Sequence, residues 1–272
     1  MLIEQKNMEK SSFKLPPILS NADGLPIYFL TGKNYLYQTL YCIHSLIKVS
    51  NEKFRFTLID DGSFDRDLIE RINLQLPHAT IITRAHIEQN INAVIPQYSH
   101  LLDKRKVYQH IKKLTDVHSI SGDQWKLVLD SDMLFLKEPK AIIDWLKKPE
   151  KPLYMVDCME SYGYSHSLME NICGEQIPKR INVGVIGLNS NQINWQNLNN
   201  WVNTLEKQEG TSYFLEQALT AMILGQTSCV ALNALEYVVN PSEDLINKNQ
   251  GILHHYVDLS KEGYFKKAWR KI

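Results

Sequence analysis

The chain has 272 residues, of which 44% are hydrophobic and 22% are charged, a composition typical of a globular protein that buries a core of useful size. Lys and Arg together number 30, and so do Asp and Glu, which excludes the basic excess that indicates a nucleic-acid partner. No run of about 20 apolar residues predicts a transmembrane helix, and the first residues lack the apolar core of a signal peptide.

Predicted strands and helices alternate through the first half of the chain. Residues 1–25 are predicted to form a loose arm that ends in a turn. Short apolar segments then predict strands at 26–32, 54–63, 79–84 and 125–136, the last one interrupted by a loop. Helical spacing of apolar residues predicts helices at 35–50, 64–76 and 105–120. This alternation favours an α/β fold with a mostly parallel sheet and helices on both faces.

The second half of the chain is less regular. Strands are predicted at 152–158 and 181–190, and helices at 191–208 and 213–224. Pro149 and Pro152 mark a loop rather than a domain boundary, and the sequence contains no repeat and no linker. We therefore expect an N-terminal arm at 1–25 followed by a single domain over 26–272.

The stretch LVLDSDMLFLKEP at 127–139 places two acids, Asp130 and Asp132, inside an apolar run. Ligands of open α/β sheets bind beyond the carboxyl ends of strands, and both acids follow a predicted strand. Two carboxylates so close repel each other unless a cation neutralises them. Their oxygens suit Mg²⁺ or Mn²⁺, which keep positions open for phosphate oxygens. The alternative is a pair of solvated residues at a strand end.

This stretch resembles the nucleotide-sugar site of GT-A glycosyltransferases, and especially that of glycosyltransferase family 8. The resemblance extends over residues 26–269 as short motifs in the same order, of which the DxD segment is the most specific. It implies a GT-A fold, which is Rossmann-like, with Mn²⁺ or Mg²⁺ as the cofactor. It also implies donor contacts from Asp130 and Ser131, and metal ligation by Asp130 and Asp132.

The segment FLTGKNYLYQTL resembles the opening strand and turn of this family. The resemblance implies that Thr31, Gly32, Asn34 and Tyr35 hold the nucleoside and ribose. Lys33 stands where the family usually has an acid, so one ribose contact is in question. Packing at a helix start is the alternative for Tyr35.

Two further positions resemble donor-binding residues of related enzymes. In IDDGS, Asp61 or Asp60 is placed to accept a hydrogen bond from uracil, although an Asx turn with the following glycine also explains the acids. Lys113 stands seventeen residues before Asp130, where the family often has an arginine that contacts the nucleotide phosphate or donor sugar. Lys112 competes for this role, and a solvated helix face is the alternative.

The resemblance assigns the sugar side of the site to two other motifs. INVGVIGLNS resembles the Asn-x-Gly-Val strand beside the donor sugar, which implies that Asn182 binds a sugar hydroxyl. FLEQALTAMIL resembles the family's acid–Gln pair, which implies that Glu216 holds a sugar hydroxyl and Gln217 lies near the reacting carbon. Because the family acid is usually Asp, the placement of Glu216 is open, and a stabilising role in the first helical turn is the alternative.

The C-terminal segment HHYVDLSKEGYFKKAW resembles the end of family 8 enzymes. The resemblance implies that His255 is the third metal ligand and that Lys261, six residues later, contacts the diphosphate. Asp258 replaces an intervening glycine of the family, so His254 remains an alternative ligand.

The sequence therefore predicts a metal-dependent glycosyltransferase that transfers a sugar from a UDP-sugar with retention of configuration. The acceptor is a glycan, lipid or peptide that the sequence does not identify. An inverting enzyme, with Glu160 or Glu216 as the base, and a binding domain without turnover are the alternatives. Nucleotidyl transfer is disfavoured, since the early strand lacks its Gly-rich, Arg-Lys signature.

The four cysteines lie far apart and form no CxxC pair. This spacing predicts neither a zinc site nor a disulfide framework and favours a reducing compartment. We therefore expect a cytoplasmic protein, with peripheral attachment to a membrane as the alternative.

Overall fold

A computed structural model describes residues 1–272. The strands, in chain order, are β1 Leu25–Thr31, β2 Phe54–Asp60, β3 Thr80–Ile82, β4 Trp125–Leu129, β5 Met133–Phe135, β6 Leu153–Val156, β7 Ile181–Asn189, β8 Val230–Ala231, β9 Tyr237–Val239 and β10 Leu253–His255. The α-helices are α1 Leu2–Ser12, α2 Leu36–Val49, α3 Arg66–Gln75, α4 Arg84–Val94, α5 Ser99–Val107, α6 Lys112–Ser119, α7 Lys140–Lys147, α8 His166–Cys173, α9 Trp195–Glu209, α10 Leu215–Gly225, α11 Glu243–Lys248 and α12 Ser260–Lys266.

The central sheet has seven strands in the order β3-β2-β1-β4-β7-β6-β8. Strands β1, β2, β3 and β4 run parallel to one another, and β7 is antiparallel to both β4 and β6. Parallel pairing puts the carboxyl ends of β1, β2 and β4 at one edge, where polar residues follow each strand. The predicted mostly parallel α/β sheet is therefore present.

Both faces of the central sheet are covered by helices. Successive strand residues point to opposite faces, and in β1 Ile27 and Phe29 enter one apolar cluster while Tyr28 enters the other. Helices α2, α3 and α7 contribute to the first cluster, and α4, α6, α9 and α10 contribute to the second. This packing explains why the strands are apolar on both sides. None of the helices combines the length and hydropathy required to cross a membrane.

A small second sheet connects the C-terminal region to the DxD segment. It has three strands in the order β5-β10-β9. Strand β10 is antiparallel to β5, and His255 lies opposite Met133. This register places His255 beside Asp132, the residue that precedes Met133 in the chain.

The structure differs from the sequence prediction in several segments. The predicted loose arm contains α1, whose Met8 is fully buried against α2 and the C-terminal helices. The sequence predicted no helix between residues 84 and 105, where α4 and most of α5 lie, and the predicted helix 105–120 is interrupted between α5 and α6. The division into an arm at 1–25 and one domain at 26–272 stays a prediction.

Candidate metal and nucleotide site

The two acids of the DxD segment lie where the chain leaves the central sheet. Strand β4 is buried up to Leu129, and the Asp130 amide donates to the Gly184 carbonyl at 2.9 Å. The Asp132 carbonyl accepts a hydrogen bond from the Tyr256 amide, also at 2.9 Å. Backbone hydrogen bonds to β7 and to the residue after β10 thus fix both acids.

Asp130, Asp132 and His255 form a group that can hold a metal ion, because their ligand atoms lie within 4.8 Å of one another. The Nε2 atom of His255 is 3.3 Å from Asp132 Oδ1 and 3.6 Å from Asp130 Oδ2. Two carboxylates and an imidazole are a donor set that suits Mn²⁺ and Mg²⁺. The structure brings His255, and not His254, to the two acids. The ring nitrogens of His254 instead contact Gln250 O and Tyr256 Oη.

The orientation of His255 is set by Asn182. The Nδ1 atom of His255 lies 2.9 Å from Asn182 Oδ1, which also accepts from the Gly184 amide at 2.9 Å. Since the amide oxygen can only accept, Nδ1 carries the proton and Nε2 faces the acids. A Cβ atom at Gly184 would lie 2.5 Å from the imidazole, so this close approach requires glycine.

The charges of the group affect its proton affinities. Burial alone would lower the pKa of His255, but the hydrogen bond and charge of Asp132, together with Asp130, raise it above its ordinary value. Burial alone would raise the pKa of Asp132, but His255 and Lys261 lower it. Asp132 therefore stays ionised at neutral pH, the form that binds a cation.

Lys113 lies against the DxD segment, and its contact with the nucleotide phosphate or donor sugar stays a prediction. Its Nζ atom is 2.8 Å from Asp130 Oδ1, 3.5 Å from Glu216 Oε1 and 3.3 Å from the Val183 carbonyl oxygen. Burial opposes its charge, but Asp130 and Glu216 raise its pKa above the ordinary value. Lys112 instead donates to the Asp61 carbonyl at 2.8 Å, so the structure separates the roles of the two lysines.

Glu216 begins α10 in a buried position next to Lys113. Burial raises its pKa to about 7, and the charge of Asp130 adds to the shift while Lys113 opposes it. Its side chain is thus a partly protonated carboxyl group at neutral pH. Its placement agrees with the predicted sugar side of the site, although the contact with a sugar hydroxyl stays a prediction.

Asp157 is a residue that the sequence prediction missed. It follows β6, is buried, and accepts from Asn182 Nδ2 at 3.0 Å and from Gln217 Nε2 at 3.4 Å. Gln217 Nε2 also donates to the Ser161 carbonyl at 2.9 Å. One carboxylate therefore joins the two amide residues of the predicted site, whose catalytic roles stay predictions.

Lys261 lies on the open side of the metal group. Its Nζ atom is 3.7 Å from Asp132 Oδ2, and its side chain is 45% exposed. Asp258, which replaces a family glycine, has a positive φ of 45°, a left-handed conformation that Asp tolerates better than most residues. The substitution therefore keeps the turn that places Lys261 beside Asp132.

Hydroxyl groups connect the end of β1 to the DxD segment. Thr39 Oγ1, in α2, lies 2.8 Å from both Thr31 Oγ1 and Ser131 Oγ. Thr39 was not predicted as a site residue, and its position inside a helix gave no signal. The Thr31 side chain is fully buried, and its contact with a nucleotide stays a prediction.

Asp61 covers the end of β1 at Gly32. A Cβ atom at Gly32 would lie 2.1 Å from the Asp61 carboxylate oxygens, so the glycine permits this contact. Asp60, the alternative, accepts from the backbone amides of Gly62, Phe64 and Arg84. Asp61 Oδ1 likewise accepts from the Ser63 amide and hydroxyl. Both acids thus hold the loop, and Asp61 is the one that also covers Gly32.

The predicted nucleoside residues Asn34 and Tyr35 lie in the turn between β1 and α2. Both are exposed, Tyr35 by 52%. Lys33 forms an ion pair with Asp65 at 3.0 Å. A tyrosine ring that is open at a strand end is available for stacking on a base, while Lys33 already has a partner.

A charged cavity of about 430 Å³ flanks Asp61. Its lining includes Arg84, Lys112 and Arg105, and the last forms ion pairs with Glu88 and Asp116. The metal group is not part of this lining. The cavity therefore extends the polar region at the end of β2.

Aromatic side chains lie near the start of α10, which carries Glu216. The rings of His110 and Tyr213 are 4.9 Å apart, and those of Tyr213 and Phe214 are 5.3 Å apart. Tyr213 is 68% exposed, and Tyr108 Oη accepts from the Glu216 amide at 3.3 Å. We call His110, Tyr213 and Phe214 the aromatic wall.

The segment 157–180 contains α8. Its Tyr162 and Tyr164 are buried rather than open for stacking. Glu160 is exposed and lies 4.0 Å from His166. The tyrosines of this segment thus serve packing, and the exposed aromatic rings lie elsewhere, in the aromatic wall.

Solved structures of glycosyltransferases are similar to this chain. Mouse xyloside xylosyltransferase 1 has a TM-score of 0.56 at 10% identity, with 88% of this chain and 98% of that one covered. The galactosyltransferase LgtC, solved with donor and acceptor sugar analogues, has a TM-score of 0.56 at 14% identity, with 91% and 96% covered. GlyE of Streptococcus pneumoniae has a TM-score of 0.54 at 12% identity, with 91% and 62% covered.

Comparisons with protein-family models and with curated proteins find no match. At identities this low, the structural likeness concerns the fold. The chain has the fold of these GT-A glycosyltransferases, which confirms the fold class predicted from the sequence.

Proposed function

We propose that the protein is a metal-dependent glycosyltransferase that transfers a sugar from a UDP-sugar to an acceptor. The observation that carries this proposal is the group of Asp130, Asp132 and His255 at the carboxyl end of the parallel strands. Lys261 stands on its open side. A GT-A fold with such a group is suited to hold a nucleoside diphosphate through a divalent cation.

In this proposal, Asp130, Asp132 and His255 hold Mn²⁺ or Mg²⁺, which neutralises charge on the leaving diphosphate. Two carboxylates and a diphosphate carry more negative charge than one divalent ion cancels. Lys261 is the cation within reach of the remaining charge, and its 45% exposed side chain can turn toward a ligand. His255 contributes a ligand without adding negative charge, since Asn182 keeps its proton on Nδ1.

The base specificity of this proposal rests on Asp61. A carboxylate at the end of β1 can accept the N3–H of uracil, which purine bases do not present in the same position. Tyr35 is open for stacking on the same side of the strand. We expect UDP to bind more tightly than ADP or GDP.

On the sugar side, we propose that Glu216, Gln217 and Asn182 surround the reacting carbon, with retention of configuration. Glu216, with its pKa near 7 and Lys113 at 3.5 Å, can donate or accept a hydrogen bond. Asp157 fixes both amide side chains and is the buried acid nearest to them. If the enzyme inverts instead, Glu216 is a better placed base than the exposed Glu160.

The aromatic wall suggests where the acceptor enters. It is exposed and joined to Glu216 through Tyr108. Sugar rings and lipid or peptide side chains all have apolar faces that pack on aromatic rings. We expect the acceptor to approach across Tyr213.

The test is a screen of nucleotide sugars with Mn²⁺, in which release of the free nucleotide is measured. The Asp132→Asn variant, which keeps the size of the side chain, is the control. Nucleotide release by the wild type and not by the variant supports the proposal. Tight binding of UDP and Mn²⁺ without release from any donor, with or without acceptors, would instead identify a binding domain.

A further inference from the structure

The outward side of α1 combines apolar and basic side chains. The apolar ones are strongly exposed: Leu2 by 73%, Ile3 by 75% and Phe13 by 63%. With 3.6 residues per turn, positions 2, 6, 10 and 13 share one side of the helix. We call this surface the α1 outer face; its side chains are Leu2, Ile3, Lys6 and Lys10 of α1, together with Phe13 and Lys14, which directly follow the helix.

The opposite side of α1 anchors the helix to the fold. Met8 and Ser12 are fully buried. Met8 packs in an apolar cluster with residues that include Tyr37 of α2 and Tyr264 of α12. The Ser12 carbonyl accepts from Gln75 Nε2 at 2.6 Å. The α1 outer face is thus presented in a fixed orientation.

Carboxylates are placed at the margins of this face. Glu4 forms the one ion pair of α1, with Arg270 of the C-terminal segment. Glu9 is exposed and, with 3.6 residues per turn, lies next to positions 2 and 13. The Arg71 guanidinium is 3.7 Å from the Phe13 ring centroid. The three lysines of the α1 outer face are exposed and make no ion pair. The face therefore carries a net positive charge among apolar side chains.

We propose that the α1 outer face docks the protein on the surface of an anionic lipid bilayer. Peripheral helices bind bilayers through two signals, insertion of apolar side chains and attraction of lysines to anionic headgroups. The α1 outer face supplies both signals: Leu2, Ile3 and Phe13 are the apolar side chains available for insertion, and its lysines attract anionic headgroups. A symmetric contact between two copies would bring six lysines together without partners, which disfavours a dimer through this face.

Helix α1 and the C-terminal segment share one apolar cluster. The apolar cluster around Met8 also holds Tyr264 and Trp269, which belong to the segment that follows Lys261. The inference stands on the exposed residues of α1 alone and does not depend on the proposed activity.

The test is co-sedimentation of the full chain with vesicles. The vesicles are phosphatidylcholine alone, or phosphatidylcholine with about one third phosphatidylglycerol. The wild type should bind the anionic vesicles and not the neutral ones. A variant with Lys6→Glu, Lys10→Glu and Lys14→Glu should bind at least ~100-fold more weakly, since each lysine near an anionic surface contributes about fivefold. A variant with Leu2→Ser, Ile3→Ser and Phe13→Ser should also lose binding.

The matched control reverses three exposed lysines elsewhere, Lys137, Lys140 and Lys151, to Glu. It has the same net charge as the α1 lysine variant and should retain binding. Equal binding by both lysine variants, or no binding by a folded wild type, would overturn the proposal. A wild-type dimer that dissociates in the Leu2, Ile3 and Phe13 variant, without vesicle binding, would assign the face to self-association instead. Circular dichroism confirms that each variant is folded.

Discussion

Replacing Asn182 with alanine tests whether this residue orients the third metal ligand. The Asn182 side chain accepts from His255 Nδ1 and the Gly184 amide, and it donates to Asp157 at 3.0 Å. Asn182→Ala leaves two buried donors without their acceptor. At about 1–3 kcal/mol for each, the free energy of unfolding should fall by roughly 2–6 kcal/mol.

The same substitution should weaken metal binding in the protein that remains folded. Without the acceptor at Nδ1, the imidazole of His255 can rotate and exchange its proton between the two nitrogens. Loss of such a partner typically lowers metal affinity by about 10–100-fold. Titration calorimetry with Mn²⁺ in the presence of UDP, at a temperature where the variant is folded, measures the change.

Asn189→Ala is the matched control. Asn189 is buried in the same strand, β7, and its Oδ1 accepts from the Asn191 amide at 3.0 Å, away from the metal group. This variant should lose stability but keep the Mn²⁺ affinity of the wild type. The reasoning is refuted if Asn182→Ala binds Mn²⁺ as tightly as Asn189→Ala does.

Three further substitutions separate metal, phosphate and proton effects. Asp132→Asn should abolish Mn²⁺-dependent UDP binding and leave the far-ultraviolet circular dichroism unchanged; calorimetry that finds normal binding would contradict the metal assignment. Lys261→Ala should weaken UDP binding roughly tenfold without changing the affinity for Mn²⁺ alone, and an unchanged UDP affinity would remove Lys261 from the diphosphate. Glu216 has its pKa raised from 4.5 to about 7, so the folded state binds more protons than the unfolded state between these values. The free energy of unfolding should therefore fall by roughly 3 kcal/mol as pH rises through this window. Urea unfolding of Glu216→Gln should lack this decline, and an equal slope in both proteins would contradict the pKa shift.

Six of the seven strands of the central sheet were predictable because each is a short apolar segment that ends in polar residues; β8, with two exposed residues, was not predicted. Such strands can be recognised in a sequence when both faces of the sheet are covered, because they are then apolar along their whole length. Helix α1 was not predicted, since Met8 is the one large apolar residue on its buried side. Its partners are aromatic residues near the other end of the chain. Because α1 is stabilised by residues that are distant in the sequence, its own sequence shows little helical periodicity of apolar residues.

Site residues that belong to a recognisable sequence motif could be predicted. Residues that join the site only through tertiary contacts could not. Asp130, Asp132 and Lys113 stand at family spacings, and the structure places them together. Asp157 follows a four-residue strand with no recognisable pattern around it, and its role becomes visible only through its contacts with Asn182 and Gln217.

The choice between His254 and His255 shows what a sequence motif leaves open. Neighbouring residues of a strand point to opposite faces, so only one of the two histidines can face the acids. The register of β10 against β5 decides which, because it sets His255 opposite Met133, next to Asp132. After β10, Asp258 turns the chain with a positive φ, and Lys261 returns to Asp132. A short antiparallel pairing and one left-handed residue thus bring the C-terminal tail to the DxD segment. A one-residue shift of that pairing would replace the ligand imidazole with one that is bonded to Gln250, so the small second sheet is as necessary to the candidate metal group as the acids themselves.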